Sequence, residues 1–263
     1  MTGHAVDASD AFEVICEVEP ATRPDLTHVR HQIGVMSKVA AAFLIPDNHI
    51  GRATVSSIAV AHEVAQMGGR AIACLNARDR NVLGFRRDLL TAAAYGVNEF
   101  LFVYGDRPET GARSDDLSVR SMMEHARQFS PTEAGTEPLR FGVTSGRRDL
   151  PAWKLDADFL LGQVAFSLDD MLRWRSSLTF LGPVYAGVMV ITSAPMARKL
   201  STDIPQLAVP PWVIEQIERQ PGSGVQIAVD LVEALKESGA FDGVHLIPVS
   251  RYREVAALLE RRR

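Results

Sequence analysis

Cysteine is scarce in this sequence: only Cys16 and Cys74 occur in 263 residues. Each sits in an apolar, strand-like run, which predicts two buried free thiols rather than a disulfide framework, and hence a reducing compartment. The seven histidines lack zinc-ligand spacing and the two cysteines are far apart, so no metal site is expected. An excess of positive charge is also missing. With 28 Lys and Arg against 32 Asp and Glu, the net charge is −4, and no basic field points to nucleic acid. Basic runs carry no interleaved base-stacking aromatics, and the terminal "RRR" reads as a solvated helix end. No run approaches the roughly 18 apolar residues of a membrane span. The opening "MTGHAVDASD" lacks a basic-then-apolar signal pattern. A cytoplasmic protein with no membrane contact is the expectation. There is no G-x-G-x-x-G after the first strand, no P-loop and no G-x-S-x-G elbow. "PGSGV" (221–225) follows no strand-like run and reads as the start of a helix.

What is present is ordinary globular composition, 46% apolar and 23% charged, in a chain long enough to bury a core without staples. Eight short apolar runs recur: "FEVICEV" (12–18), "AAFLI" (41–45), "AIACL" (71–75), "EFLFVY" (99–104), "RFGVT" (140–144), "DFLLGQ" (158–163), "VYAGVMVI" (184–191) and "GVHLI" (243–247). Helical patterns lie between them. One places Val55, Ile58, Ala59, His62 and Ala65 near one stripe; another turns Leu83, Leu90 and Ala94 inward. Ser167 reads as an N-cap with acids in the first turn. Strands alternating with helices predict a parallel sheet, and eight of them predict a closed α/β fold, a (β/α)8 (TIM) barrel forming a single domain over 1–263. Extra structure is expected around 201–220, and an exposed, mobile loop at 130–139.

In such a barrel the site lies at the C-terminal ends of the strands. Polar residues collect there: Glu17 and Glu19, Asp47, Asn48 and His49, Asn76, Arg78 and Asp79, Asp106, Thr144 and Ser145, Gln163, Thr192 and Ser193. A ring of carboxylates and amides suits a heterocycle rich in N–H donors, such as a pterin. Each residue also has a plainer reading. Glu17 could form an internal ion pair, and Glu19 could lie in the loop before Pro20. Asp106 could cap a turn, and Gln163 could be a core amide. The "ARDRN" run (77–81) could be a solvated loop in which Asp79 or Asn81 caps a helix. His62 reads as a packed core histidine, and His245 is ambiguous.

Taken in order, several segments resemble the methylenetetrahydrofolate reductase family, from about Phe12 to Leu259. They are "VICEVEP", "DNHIGRATVSSIAVAHEV", "LNARDRN", "FVYGDRP", "DADFLLGQVAFSLDDMLRW", "YAGVMVITS", "VPPWV" and "GVHLIPVSR". The resemblance implies a (β/α)8 barrel that reduces 5,10-methylenetetrahydrofolate to 5-methyltetrahydrofolate. Family members bind FAD and take hydride from NADH or NADPH. By position, Glu17 matches the glutamate that assists protonation of the folate nitrogen, and Asp106 matches the aspartate beside the flavin and pterin rings. Gln163 matches the amide that contacts folate. Asp47, Asn48 and Asn76 are the further substrate-binding candidates.

The departures fall on the flavin side. Tyr104 replaces the usual arginine before Gly-Asp, and Cys74 and Asn76 stand in place of a His-x-Thr pattern. The long loop after the fifth strand, with its Tyr-Pro-Glu-x-His-Pro-Glu pattern, gives way to "TSGRRDLPAWK". "IPVS" (247–250) replaces Tyr-Thr-Leu-Asn. Two accounts fit: direct hydride transfer from a nicotinamide without flavin, or FAD held by altered contacts. The first is the favoured expectation, because a whole set of preorganised cofactor contacts is missing. Tyr104, Arg78, Arg147 and Arg148 are then the candidates for meeting the dinucleotide. A one-carbon transferase or lyase, and a non-catalytic folate-binding subunit needing a partner, are the alternatives. A homo-oligomer is compatible with each.

Overall fold

Eight β-branched and aromatic runs form eight strands in a computed structural model that describes residues 12–107, 109–129, 138–146 and 150–262. They are β1 Glu13–Glu17, β2 Ala42–Ile45, β3 Ala71–Asn76, β4 Glu99–Val103, β5 Arg140–Ser145, β6 Phe159–Val164, β7 Val184–Met189 and β8 Gly243–Ile247. Each pairs in parallel with the next, and β8 returns to β1 with His245 opposite Ile15. The sheet is therefore a closed barrel with no free edge, as the alternating pattern predicts.

The helices among the described residues are α1 Thr27–Met36, α2 Ser57–Gln66, α3 Val82–Ala94, α4 Val119–Phe129, α5 Leu168–Ser176, α6 Ala194–Asp203, α7 Pro211–Arg219, α8 Ser223–Ser238 and α9 Tyr252–Glu260. Three of them, α6 to α8, lie between β7 and β8. Between β5 and β6 the described residues hold only a 3₁₀ segment, Ala152–Asp156. No helix among the described residues is long and apolar enough to cross a membrane. The expected loop at 130–139 lies mostly outside the described residues.

The strands alternate two environments. Outward residues such as Cys16, Phe43, Phe100 and Val143 join the main core under the helices. Inward residues, including Ile15, Leu44, Cys74, Leu101, Phe159 and Leu161, fill the lumen. Polar groups close its base: Tyr185 donates to Glu13 (2.7 Å), Arg70 to Glu13 (2.9 Å) and Arg140 to Glu99 (3.4 Å).

Two helix faces differ from the sequence reading. On α3 the buried residues are Phe85, Leu89 and Ala92, whereas Leu83 and Leu90 are 77% and 53% exposed. Phe85 meets Phe102 edge-on at 5.5 Å, so the largest side chain chooses the face and rotates the leucines outward. On α2, Ser57, Ile58, Val60, Ala61 and Val64 are buried. His62 is half-buried and stacks on Tyr95 with ring centroids 4.7 Å apart, so it serves the α2–α3 contact rather than the core. The caps follow local chemistry: Asn81 accepts from the Gly84 N–H (2.8 Å) and Ser167 from the Asp170 N–H (3.3 Å).

A side chain at Gly224 would place its Cβ 1.8 Å from the Ile191 carbonyl oxygen, where α8 touches the backbone leaving β7. Gly224→Ala is therefore expected to lower stability by about 3 kcal/mol, read from urea unfolding. Cys16 and Cys74 are buried free thiols, both pushed up chiefly by burial. Both are expected to ignore a thiol reagent in the native state at pH 8 and to react once denatured. The raised values also give a sign: their stabilisation is complete below the ordinary thiol value of about 8.5 and is lost as pH rises further.

Candidate active site at the barrel mouth

Because all strands run parallel in one closed sheet, the residues at their C-terminal ends share a single rim. At the end of β1, Cys16 and Val18 are completely buried, while the Glu17 side chain keeps 17% of its exposure. Glu17 lies two residues beyond Ile15, on the lumen face. The backbone that carries it is pinned: the Glu19 N–H donates to Gln32 Oε1 (2.7 Å) and to the Tyr252 hydroxyl (2.9 Å). Burial, then Cys16 and Glu19, hold the Tyr252 hydroxyl well above its ordinary value. The neighbour of Glu17 is His245 on β8, with Nε2 3.1 Å from Glu17 Oε2. The approach is close but off-line, and this buried Nε2 has no hydrogen-bond partner among the described residues. Cys74 completes the inner surface, its thiol pushed up by burial and then by the charges of Glu17 and Asp47.

Asp47 and Asn76 form a different kind of structure. The Asn76 amide donates to Asp47 Oδ2 and Asp79 Oδ2, both at 2.8 Å, and its oxygen accepts from the Asp79 N–H (2.9 Å). Asn48 donates to Asp79 (2.8 Å). At the centre lies Arg80, a residue that the sequence reading missed. It donates to Asp47, to Asp88 (2.8 Å) and to the Asn76 carbonyl (3.1 Å). Burial opposes its charge, yet Asp47 and Asp88 hold the guanidinium above its ordinary value. The side chains of Arg80 and Asp47 are only 12% and 5% exposed. These polar groups satisfy one another, so they frame the mouth from behind. The available signal was the "ARDRN" run, where a solvated loop and a helix cap were the competing readings.

Asp106 follows β4 and is exposed. Its Oδ2 accepts from the Ile50 N–H at 2.8 Å, tying the loop after β4 to the loop after β2. Asn48 and Ile50 there have φ of +48° and +52°. For a β-branched residue this is strained, by about 1–3 kcal/mol, and the Asp106 contact helps to hold it. Gly105, at φ +94°, is required twice, since a Cβ there would also come within 2.9 Å of Asn76. Tyr104 stands exposed with the Arg78 guanidinium 4.7 Å over its ring, and Arg113 donates to its hydroxyl (3.3 Å). Arg147 and Arg148 lie outside the described residues. Gln163 is exposed within a β-bulge between Leu161 and Val164, a device that re-aims side chains. Its amide borders Gly146 at the end of β5. A cavity of about 410 Å³ flanks the mouth, lined by Glu19, His28, His49, Ile50, Arg52 and Thr54 among others.

The family model described as methylenetetrahydrofolate reductase matches residues 152–263. That match is confined to the C-terminal part of the barrel, less than half of the 263 residues, and is a likeness to the family over that part. The matched region carries Gln163 and His245, whereas Glu17 and Asp106 precede it. No curated protein sequence matches this chain significantly. Among solved structures it is similar to an uncharacterized protein from Clostridium thermocellum that binds two copies of 5-methyl-5,6,7,8-tetrahydrofolic acid (10% identity, TM-score 0.64, 94% of this chain and 93% of that one). It is also similar to DmoA from Hyphomicrobium sulfonivorans (9%, TM-score 0.53, 95% and 88%). A mutant tryptophan synthase α-subunit from Pyrococcus furiosus is another neighbour (14%, TM-score 0.52, 95% of both chains). At these identities the likeness is one of barrel fold.

Removing one member of a buried ion pair leaves the other charged and unpaired. Arg80→Ala is therefore expected to cost about 3 kcal/mol or more in urea unfolding.

Proposed function

We propose that this protein acts as the methylenetetrahydrofolate reductase family does, binding 5,10-methylenetetrahydrofolate in the barrel mouth and reducing it to 5-methyltetrahydrofolate with hydride taken directly from NADH or NADPH. The observation that carries the reading is the placement of Glu17: a carboxylate on the lumen face of β1, largely sheltered from water with 17% of its side chain exposed, where the resemblance to the reductase family calls for an acid. The structural neighbour that binds 5-methyltetrahydrofolate supports a reduced folate as ligand, since that compound would be the product.

The chemistry balances on one hydride and one proton. Protonated Glu17 gives its proton to the folate nitrogen that leaves the methylene carbon. The carbon–nitrogen bond breaks and an iminium forms. The hydride then adds to the iminium carbon to give the methyl group, and the nicotinamide leaves oxidised. Partial exclusion of water strengthens this proton transfer and protects the iminium. Gln163, on its bulge, and Asp106 supply acceptors for the pterin's N–H groups. Asp47, Asn48 and Asn76 act by shaping the rim, given how fully they bond one another. Arg78 and Tyr104, together with Arg147 and Arg148, are assigned to the dinucleotide, and holding both reactants in one mouth makes the transfer effectively intramolecular.

Flavin would supply an intermediate hydride carrier, but the residues present do not fit it as the family usually does. Tyr104 offers no charge to a flavin phosphate, Cys74 is buried, and the Asn76 amide is already fully engaged. The connection from β5 to β6 spans only residues 146–158. No step is therefore routed through flavin.

Purified protein is expected to oxidise NADH or NADPH only when the methylene folate is present, and to show no flavin absorption near 450 nm. Folate binding without nicotinamide oxidation would point to the transferase or subunit alternatives instead. Glu17→Gln is expected to lower turnover by about 10²- to 10⁴-fold with an unchanged circular dichroism spectrum.

A further inference from the structure

The proposed reaction consumes one proton per turnover, and Glu17 must regain it each time. The side chain stands in a lumen lined by Ile15, Leu44, Cys74 and Leu101, which offers it few polar neighbours. Nε2 of His245 lies 3.1 Å from its carboxylate. That nitrogen is buried and has no hydrogen-bond partner among the described residues. A buried polar atom left unsatisfied is costly and calls for an explanation. The barrel's closing register holds it there, with His245 opposite Ile15 on one side and Gly187 on the other.

We propose that His245 is the positioning and proton-returning residue for Glu17, a role that rests on the folate-reducing reading given above. In the doubly protonated imidazole the Nε2–H bond breaks and an O–H bond forms on Glu17 Oε2. The N–H electron pair stays on the ring, which becomes neutral and takes its next proton from solvent. A small swing of either side chain converts the present off-line contact into the hydrogen bond that this transfer needs. Gly187 lets β7 bring no titratable group against the ring. The other titratable groups around the pair are Cys16 and Glu19 beside Glu17, Cys74 on β3, Asp47 with Arg80 behind it, and Tyr252 on α9. Cys74 and Tyr252 are held neutral, chiefly by burial, and Asp47 is neutralised by Arg80. Glu19 is engaged at the rim by the Ser250 hydroxyl (3.1 Å) and His28 (3.6 Å), so His245 is the neighbour in position to exchange a proton with Glu17.

The test uses the intact chain with His245→Gln and His245→Asn. Each is expected to lower kcat by roughly 10- to 100-fold, with KM for the methylene folate changed less than about threefold. The kcat–pH profile should lose its basic limb, and the double variant with Glu17→Gln should be no slower than Glu17→Gln alone. A purely structural histidine would instead lower stability and leave the profile's shape intact. A second measurement needs no turnover. In ¹⁵N-histidine spectra, assigned by the missing signal in His245→Gln, the His245 ring nitrogens should change their signals once Glu17→Gln replaces the carboxylate 3.1 Å away. Unchanged ring signals, or wild-type kcat in both His245 variants, overturn the proposal while leaving Glu17 as the acid. Failure of the wild-type protein to oxidise any nicotinamide with the methylene folate overturns the underlying reading, and this role with it.

Discussion

The parallel pairing of β8 with β1 is the constraint on which the rest depends. Until those strands meet, Glu17 and His245 are separated by most of the chain. Once Ile15 lies opposite His245, alternation along each strand leaves no choice about which side chains enter the lumen. The same closure gathers the C-terminal ends of the strands into one rim, so a set of scattered polar residues becomes a concave surface.

Two polar networks bracket that surface along the barrel axis. At the base, Glu13, Arg70, Glu99, Arg140 and Tyr185 plug the lumen with ion pairs and hydrogen bonds. Near the mouth, Arg80 binds Asp47, Asp88 and Asn76 behind the rim. Between them the interior is apolar. Such pairs add little net stability, since desolvation offsets much of their attraction. Their contribution is geometric: they fix where the rim loops start. The lumen then varies from fully buried apolar side chains at its centre to the partly exposed carboxylate of Glu17 at its mouth.

Much of this was legible in the sequence, for physical reasons that differ by element. The eight strands announce themselves because a parallel barrel buries both faces of each strand, giving short continuous apolar runs. Glu17 stands out because a carboxylate inside such a run is costly unless it is used. The helix faces were less legible. On α3 two plausible stripes exist, and the contact of Phe85 with Phe102, which spans two elements, decides between them. Arg80 was hidden for a related reason: a charged run after a strand looks solvated until the carboxylates that surround it are known. The off-line contact of His245 with Glu17 depends on strand register, which no local pattern encodes.

The strained turn at Ile50 changes how any alteration at Asp106 should be understood. That carboxylate holds a backbone amide of a neighbouring loop, so it is a mechanical brace as well as a charge. Neutralising it would release a sprung segment beside the opening, and slower catalysis could then reflect a displaced wall instead of a missing electrostatic partner. The two effects separate by ligand size: a loosened wall penalises bulky ligands most, whereas a lost charge penalises ligands of every size alike.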